Sequence, residues 1–218
     1  MEESKIAEAW RVLRIQSELV DGIESLAKLG GAVTVFGSSR LGEGSHWYDE
    51  AKKLGELLGA EQIPVITGGG PGIMEAANRG CFETPTNTVG LNITLPEEQE
   101  PNPYQDIRLE FRYFFVRKFM FVKYAMGFVI FPGGLGTLDE LFEALTLVQT
   151  GKVRAFPIVL VGVDYWQGLL AWLESTVSEA GCIGKRELNL FRLVDSAEEA
   201  AAIVQEHARM LRAQAQAE

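Results

Sequence analysis

The chain alternates short runs of apolar, mostly β-branched residues with longer segments whose apolar positions recur every three or four residues. That alternation limits what it can fold into. Strand-length runs fall at 32–36, 64–67, 89–95, 128–131, 157–161 and 191–194, and helical patterns at 4–29, 46–59, 72–81, 107–126, 137–150, 165–179 and 196–213. Strands that are apolar throughout and separated by helices must be covered on both faces, which predicts a doubly wound parallel sheet in a three-layer α/β fold. No internal repeat and no linker rich in Gly, Ser or Pro divides the 218 residues. A single domain is therefore expected over 31–218. Residues 1–30 read as an added helix, with Ile6, Trp10, Leu13, Val20, Ile23 and Leu26 on one stripe and Gly30 and Gly31 as its stop. The stripe fits either an extra layer on the core or a surface that pairs subunits.

Composition removes several function classes. A formal net charge of −10 argues against nucleic acid as a partner, since such affinity comes mainly from basic side chains on phosphates. A small anionic ligand stays open, because one local cluster of donors overrides the average field. The most apolar run, 113–131, is interrupted by Arg117, Lys118 and Lys123, which are expensive at membrane depth, so no membrane span is expected. The polar start lacks a secretory pattern, and Cys81 and Cys182 are far apart with no metal-like spacing. These point to reduced thiols and a cytoplasmic location. With His46 and His207 as the only histidines, a His-rich metal site is excluded and a Ser-His-Asp triad is poorly supplied. No metal and no cofactor is expected. Asp139, Glu140 and Glu143 could attract Mg²⁺, but acids in a first helical turn usually serve the helix dipole.

The unusual residues follow the strand candidates. After the first come Gly37, Ser38, Ser39 and Arg40. After the second come Gly68, Gly69, Gly70, Pro71 and Gly72, then Ile73, Met74 and Glu75. After the fourth come Pro132, Gly133, Gly134, Leu135, Gly136 and Thr137. In parallel sheets such loops gather beyond the carboxyl ends of the strands, where ligands bind. A Gly-rich turn at a helix N-terminus presents unpaired N–H groups to one point, and missing Cβ atoms let a phosphate approach. Two such loops could close on one anion from both sides; the plainer reading is that their glycines only make tight turns. Neither loop is the dinucleotide GxGxxG fingerprint or the Walker pattern.

The charged residues keep two readings each. Thr137, Leu138, Asp139 and Glu140 spell a capping box, with Thr137 as the cap and Glu140 bonding back, yet Glu140 could instead point into the crevice. Arg117 and Lys118 are adjacent cations in an apolar helix. They either sit at a solvated edge or in a structural ion pair, or Arg117 meets phosphate or a carboxylate. Arg108 and Arg112 read as a spacing-of-four pair facing solvent, and Glu98 lies in an acidic, proline-rich surface loop.

Together, the run from Gly68 to Glu75 and the run from Pro132 to Glu140 resemble the two signature motifs of the Lonely Guy (LOG) family. Its members are cytokinin riboside 5′-monophosphate phosphoribohydrolases, long mislabelled as lysine decarboxylases. The resemblance covers residues 33–183 and includes the turn from Phe36 to Ser39, the Arg117–Lys118 pair and the run from Gln149 to Gly151. It implies a Rossmann-like fold, a homo-oligomer (dimer or larger) with sites near the subunit interface, and a nucleotide substrate. The reaction it implies is hydrolysis of AMP or N⁶-modified AMP to free base and ribose 5-phosphate. Catalytic roles fall on Arg117 and Glu140. Substrate contacts fall on Ser38 after the first strand and on Gly69, Gly70, Gly72 and Met74 in the first motif. Further contacts fall on Glu98 (or Glu97) and Lys118, and on Gly133, Gly134, Gly136 and Thr137 in the second motif. The added N-terminal helix and the aromatic approach Tyr113, Phe114, Phe115 and Val116 depart from short plant members and put the base in doubt more than the phosphate end. No lysine sits in a recognisable pyridoxal-phosphate context. The same loops would serve a carrier of a phosphorylated cofactor such as the molybdenum cofactor.

Overall fold

A computed structural model describes residues 2–95 and 100–217, with side chains from 8 to 95 and from 100 to 215. Seven parallel strands form one sheet: β1 (Ala32–Phe36), β2 (Val65–Thr67), β3 (Thr88–Ile93), β4 (Ile107–Phe111), β5 (Ala125–Ile130), β6 (Ile158–Val161) and β7 (Phe191–Val194). Their spatial order is β4-β3-β2-β1-β5-β6-β7. The chain builds outward from β1 to one edge, then returns to β5 on the other side of β1. The loops leaving β1 and β5 therefore diverge to opposite faces, and a crevice opens between them. The doubly wound, Rossmann-like α/β fold is as expected.

Helices cover both faces. One core layer packs α2 (His46–Ala60), α3 (Ile73–Phe82) and α7 (Ala197–Ala217) on the sheet through Leu54, Leu58, Ile73, Ala77 and Val204. The other packs α4 (Phe114–Lys123), α5 (Leu135–Gln149) and α6 (Val163–Trp172) through Phe121, Phe128, Leu141 and Trp166. The central strands β1, β2 and β6 are buried at every position, which is why they read as unbroken apolar runs.

Three expectations need correction. The segment expected as one helix over 107–126 is a strand, a turn and a shorter helix. Ile107, Arg108, Leu109, Glu110 and Phe111 alternate apolar and charged residues, the period of an edge strand with one face in water. Arg108 and Arg112 are exposed as expected, but Arg108 lies on β4 and pairs with Glu110 at 2.7 Å. The segment 165–179 becomes α6 followed by a π-helical stretch, Leu173–Ser178.

The third correction concerns the N-terminal helix α1 (Glu2–Leu26), which lies against α4 and β4. Its inner face is Ile15, Leu19, Gly22 and Leu26, where an added Cβ on Gly22 would strike the Met120 side chain. The Glu18 carboxylate accepts the Arg112 N–H at 3.1 Å, and the Tyr124 hydroxyl donates to the Ile23 carbonyl at 3.1 Å. Of the expected stripe only Leu26 is buried. Trp10, Leu13, Val20 and Ile23 point outward, and the side chain of Ile6 lies outside the described residues. Among the described residues no helix is long and apolar enough to cross a membrane. Cys81 is buried and Cys182 exposed, and both are free.

Candidate active site

The loops after β1, β2 and β5 meet. Ser38 N–H donates to the Pro132 carbonyl at 3.0 Å, and the Ser38 carbonyl accepts the Ile73 N–H at 3.1 Å. Between them opens a cavity of about 640 Å³, within the range of small-molecule clefts. Its walls include Ser38 and Arg40 from the first loop, Gly68, Gly70 and Met74 from the second, Arg117 from α4, and Gly134, Gly136, Thr137, Asp139 and Glu140 from the third. Phe36, Phe121, Ile93, Leu95 and Phe114 supply an apolar side. Of the expected site residues, Gly69, Gly72, Gly133 and Lys118 do not line this cavity. Glu98 and its neighbour Glu97 lie outside the described residues.

The two glycine loops are held differently, and in both some amides, those of Gly70 and Gly72 as well as those of Gly136 and Thr137, donate to no acceptor among the described residues. In the loop after β2 the glycines serve the protein's own packing. Gly69 (φ 74°) lies against Asn92, and Gly72 (φ 70°) against the backbone of Ser38 and Ser39; a Cβ at either would collide. The Gly69 N–H is already given to the Thr67 hydroxyl at 3.0 Å. Asn102 donates to the carbonyls of Gly69 and Gly70, and Gln105 donates to Gly69 as well. Asn102 is tied in turn to the buried Asn78. This loop is a braced wall.

The loop after β5 is different. α5 begins at Leu135, and its cap residue, Gly134, lies three positions before the expected cap Thr137. The first helical N–H with a backbone acceptor is that of Leu138, on Gly134. The amides of Leu135, Gly136 and Thr137 donate to no acceptor among the described residues. An added Cβ at Gly134 or Gly136 would meet nothing within 4 Å. Glycine costs a helix about 1 kcal/mol relative to alanine, so the open side of Gly136 answers to no internal contact. Gly133 is glycine for a local reason, because the Thr137 side chain occupies the place of its Cβ, and its carbonyl is held by the Tyr165 hydroxyl at 2.7 Å.

With the helix start moved, the capping box fails: Thr137 caps nothing and Glu140 is free of that duty. Glu140 sits about one and a half turns into α5, 8% exposed, on the cavity wall. Burial raises its pKa to about 7, with Lys118 and Arg117 lowering it and Glu143 and Asp139 raising it in smaller measure. Arg117 is also largely buried. Its guanidinium donates Nε–H to the Leu91 carbonyl at 2.7 Å and Nη2–H to the Gly68 carbonyl at 3.1 Å, and lies 5.1 Å from the Phe121 ring centre. Burial lowers its pKa to about 10, opposed by the charge of Glu140, so it stays cationic at neutral pH. Lys118 turns the other way. Its ammonium contacts Asp139 at 2.8 Å, Glu143 at 2.7 Å and Glu140 at 3.6 Å. It cross-links α4 to α5 instead of reaching the cavity. The side chains that sequence reasoning missed are Asn92 and Tyr165; Arg40 stood in the first loop and Phe114 in the aromatic approach to the Arg117–Lys118 pair, neither with an assigned contact.

Residues 74–204 match the family described as "Possible lysine decarboxylase". A cytokinin riboside 5′-monophosphate phosphoribohydrolase of Arabidopsis thaliana, LOG3, is 30% identical over 151 residues, covering 67% of this chain and 69% of that protein. The chain belongs to the LOG family. A pyrimidine/purine nucleotide 5′-monophosphate nucleosidase of Escherichia coli K12 is 29% identical over 161 residues, 67% of this chain but 35% of that longer protein. Among solved structures, the molybdenum cofactor binding protein of Rippkaea orientalis superposes with a TM-score of 0.60 at 24% identity, covering 81% of this chain and 96% of that one. The molybdenum cofactor carrier protein of Chlamydomonas reinhardtii gives 0.60 at 20% identity, covering 82% and 98%. At those identities the likeness speaks for the fold.

Two measurements check this account. Gly136→Ala should leave the unfolding midpoint in urea unchanged or raise it, by up to about 1 kcal/mol of stability. Gly72→Ala should lower stability by about 1–3 kcal/mol through strain at positive φ. The second check is pH. Glu140 takes up its proton more readily folded than unfolded, so its contribution to stability is fully present below its ordinary value near 4.5 and is lost as pH rises through about 7. Glu140→Gln should therefore gain stability relative to the wild type between pH 5 and pH 8, read from denaturation midpoints across that window.

Proposed function

We propose that this protein hydrolyses the N-glycosidic bond of a nucleoside 5′-monophosphate, releasing free base and ribose 5-phosphate, with AMP or an N⁶-modified, cytokinin-type AMP as substrate. One observation carries the reading. The unpartnered amides of Leu135, Gly136 and Thr137 and the buried carboxyl of Glu140 lie on one helix wall of one cavity. The first end suits a phosphate; the second suits the sugar cation that forms when the C–N bond breaks.

The phosphate caps α5, where the helix dipole favours negative charge, with Ser38, Gly134, Gly136 and Thr137 around it. Binding at that remote end holds the ribose against Glu140 and supplies orientation to the reacting centre. The base then lies toward Met74 and the apolar side formed by Ile93, Leu95 and Phe114. As the glycosidic bond lengthens, C1′ becomes electron-poor. Ionised Glu140 stabilises that charge and takes a proton from the water that attacks C1′, the departing base takes a proton at nitrogen from solvent, and Glu140 then returns its own to solvent. A pKa near 7 suits a group that both accepts and returns a proton near neutrality. Arg117, fixed by two carbonyls and coupled to Glu140, orients the carboxylate and helps keep it ionised. Lys118 acts in this scheme by position, holding α5 against α4. Base release is the direct test. Glu140→Gln should lower kcat on AMP by about 10²–10⁴ and abolish any limb of the pH–rate profile near pH 7. AMP bound tightly with no base released at high protein concentration would leave the carrier reading instead.

The same reading makes the protein a homo-oligomer. Phe115 and Phe119 on α4 and Leu135 and Phe142 on α5 are large apolar side chains open to solvent, Leu135 at 85%. Phe114 and Leu135 also line the cavity, and a second subunit seated on this face would cover them all. Leu135→Lys should shift the mass in sedimentation equilibrium toward the monomer. An unchanged mass would remove this face from the interface.

A further inference from the structure

The cavity has a charge balance that its own residues do not close. A phosphate monoester carries about −1.5 to −2 near pH 7, and one helix N-terminus offers roughly half a positive charge. Of the acids on the wall, Asp139 pairs with Lys118, and Glu140 neighbours both Lys118 and Arg117. Lys118 is engaged by three carboxylates of α5, those of Asp139, Glu140 and Glu143. Arg117 has two carbonyls as acceptors and is matched electrostatically by Glu140. A dianion seated on α5 without further help would face Asp139 and Glu140 with little cationic surplus.

Arg40 is the cation left over. It lines the cavity from the loop after β1, its side chain is exposed, and it has no salt bridge or side-chain hydrogen bond among the described residues. Its backbone is held in place: the Arg40 N–H donates to the Ser38 hydroxyl at 3.1 Å, and Ser38 is bonded to the loops on both sides. Because β1 and β5 are neighbours in the sheet, that loop runs beside the start of α5. A guanidinium there can close on phosphate oxygens in a two-pronged contact that a helix terminus alone does not offer.

We infer that Arg40 is the specificity-determining residue for the 5′-phosphate, clamping it against the α5 N-terminus and separating nucleoside monophosphates from nucleosides. The inference rests on the proposed reading of the site, but its test does not need turnover. Titration calorimetry with inorganic phosphate, AMP and adenosine would compare the wild type with Arg40→Ala and Arg40→Lys. Arg40→Ala should weaken phosphate and AMP binding about 10- to 100-fold, as expected for loss of hydrogen bonds to a charged group, and affect adenosine far less. Arg40→Lys should recover part of the loss, since it restores charge without the fork. Where turnover is measured, the same loss should appear in KM for AMP more than in kcat. Equal phosphate affinity in wild type and Arg40→Ala overturns the inference even if AMP is hydrolysed. Phosphate binding that depends on Arg40 without base release keeps the inference and sinks the hydrolase reading. A wild type that binds neither phosphate nor AMP overturns both.

Discussion

The crevice exists because the peptide groups of Ser38 bond in two directions, to Pro132 on one side and Ile73 on the other. These bonds join loops from three strands, and they require the backbones to come closer than side chains allow. Gly37 meets the Ile73 side chain at the place of a Cβ, and Gly72 meets the backbone of Ser38 and Ser39. The glycines that look like ligand-binding residues in the sequence are thus partly the conditions for this knot. Once it is tied, α3 and α5 begin on either side of a fixed β1 turn, and everything on the cavity wall inherits its position from those starts.

The buried charges of α4 follow from the same frame. An apolar helix carrying Arg117 and Lys118 would be costly if either were left unpaired. Arg117 is satisfied by the carbonyls of Leu91 and Gly68 near the ends of β3 and β2, and Lys118 by acids projecting from α5. Glu140 lies between the two cations. Its burial favours the protonated form, the cations favour the ionised form, and Asp139 and Glu143 on its own helix oppose them again. A carboxyl poised near neutrality is the outcome of that competition, with desolvation the largest influence.

Most of the fold was legible because central parallel strands are apolar at every position and the helices between them are periodic. β4 was not, because its two-residue alternation runs directly into the apolar start of α4, and a window spanning both blurs the periods. At the site, the motif residues around the second glycine loop were legible as a group but not as individuals. Thr137 and Glu140 have the spacing of a capping box, yet the unhindered backbone at Gly134 and Gly136 lets α5 start sooner. Lys118 beside Arg117 gave no sign that the two would point to different sides. Arg40, Asn92 and Phe114 reach the cavity from segments whose convergence depends on sheet order, which no local pattern records.

Sheet order also explains how one helix can carry two opposed requirements. On the proposed reading the start of α5 favours negative charge, while Glu140, on the same helix, loses its proton in the same cavity. In water-filled space the two would be screened; on a half-buried wall they are not. A bound phosphate raises the cost of ionising Glu140, so the site needs cations positioned to act on each end separately. On the proposed reading, Arg117, fixed to strand-end carbonyls, acts on the carboxylate end, and Arg40 on the β1 loop acts on the phosphate end. Because β1 lies between β2 and β5, both cations can approach from outside α5, and neither must share the helix with the acids it offsets.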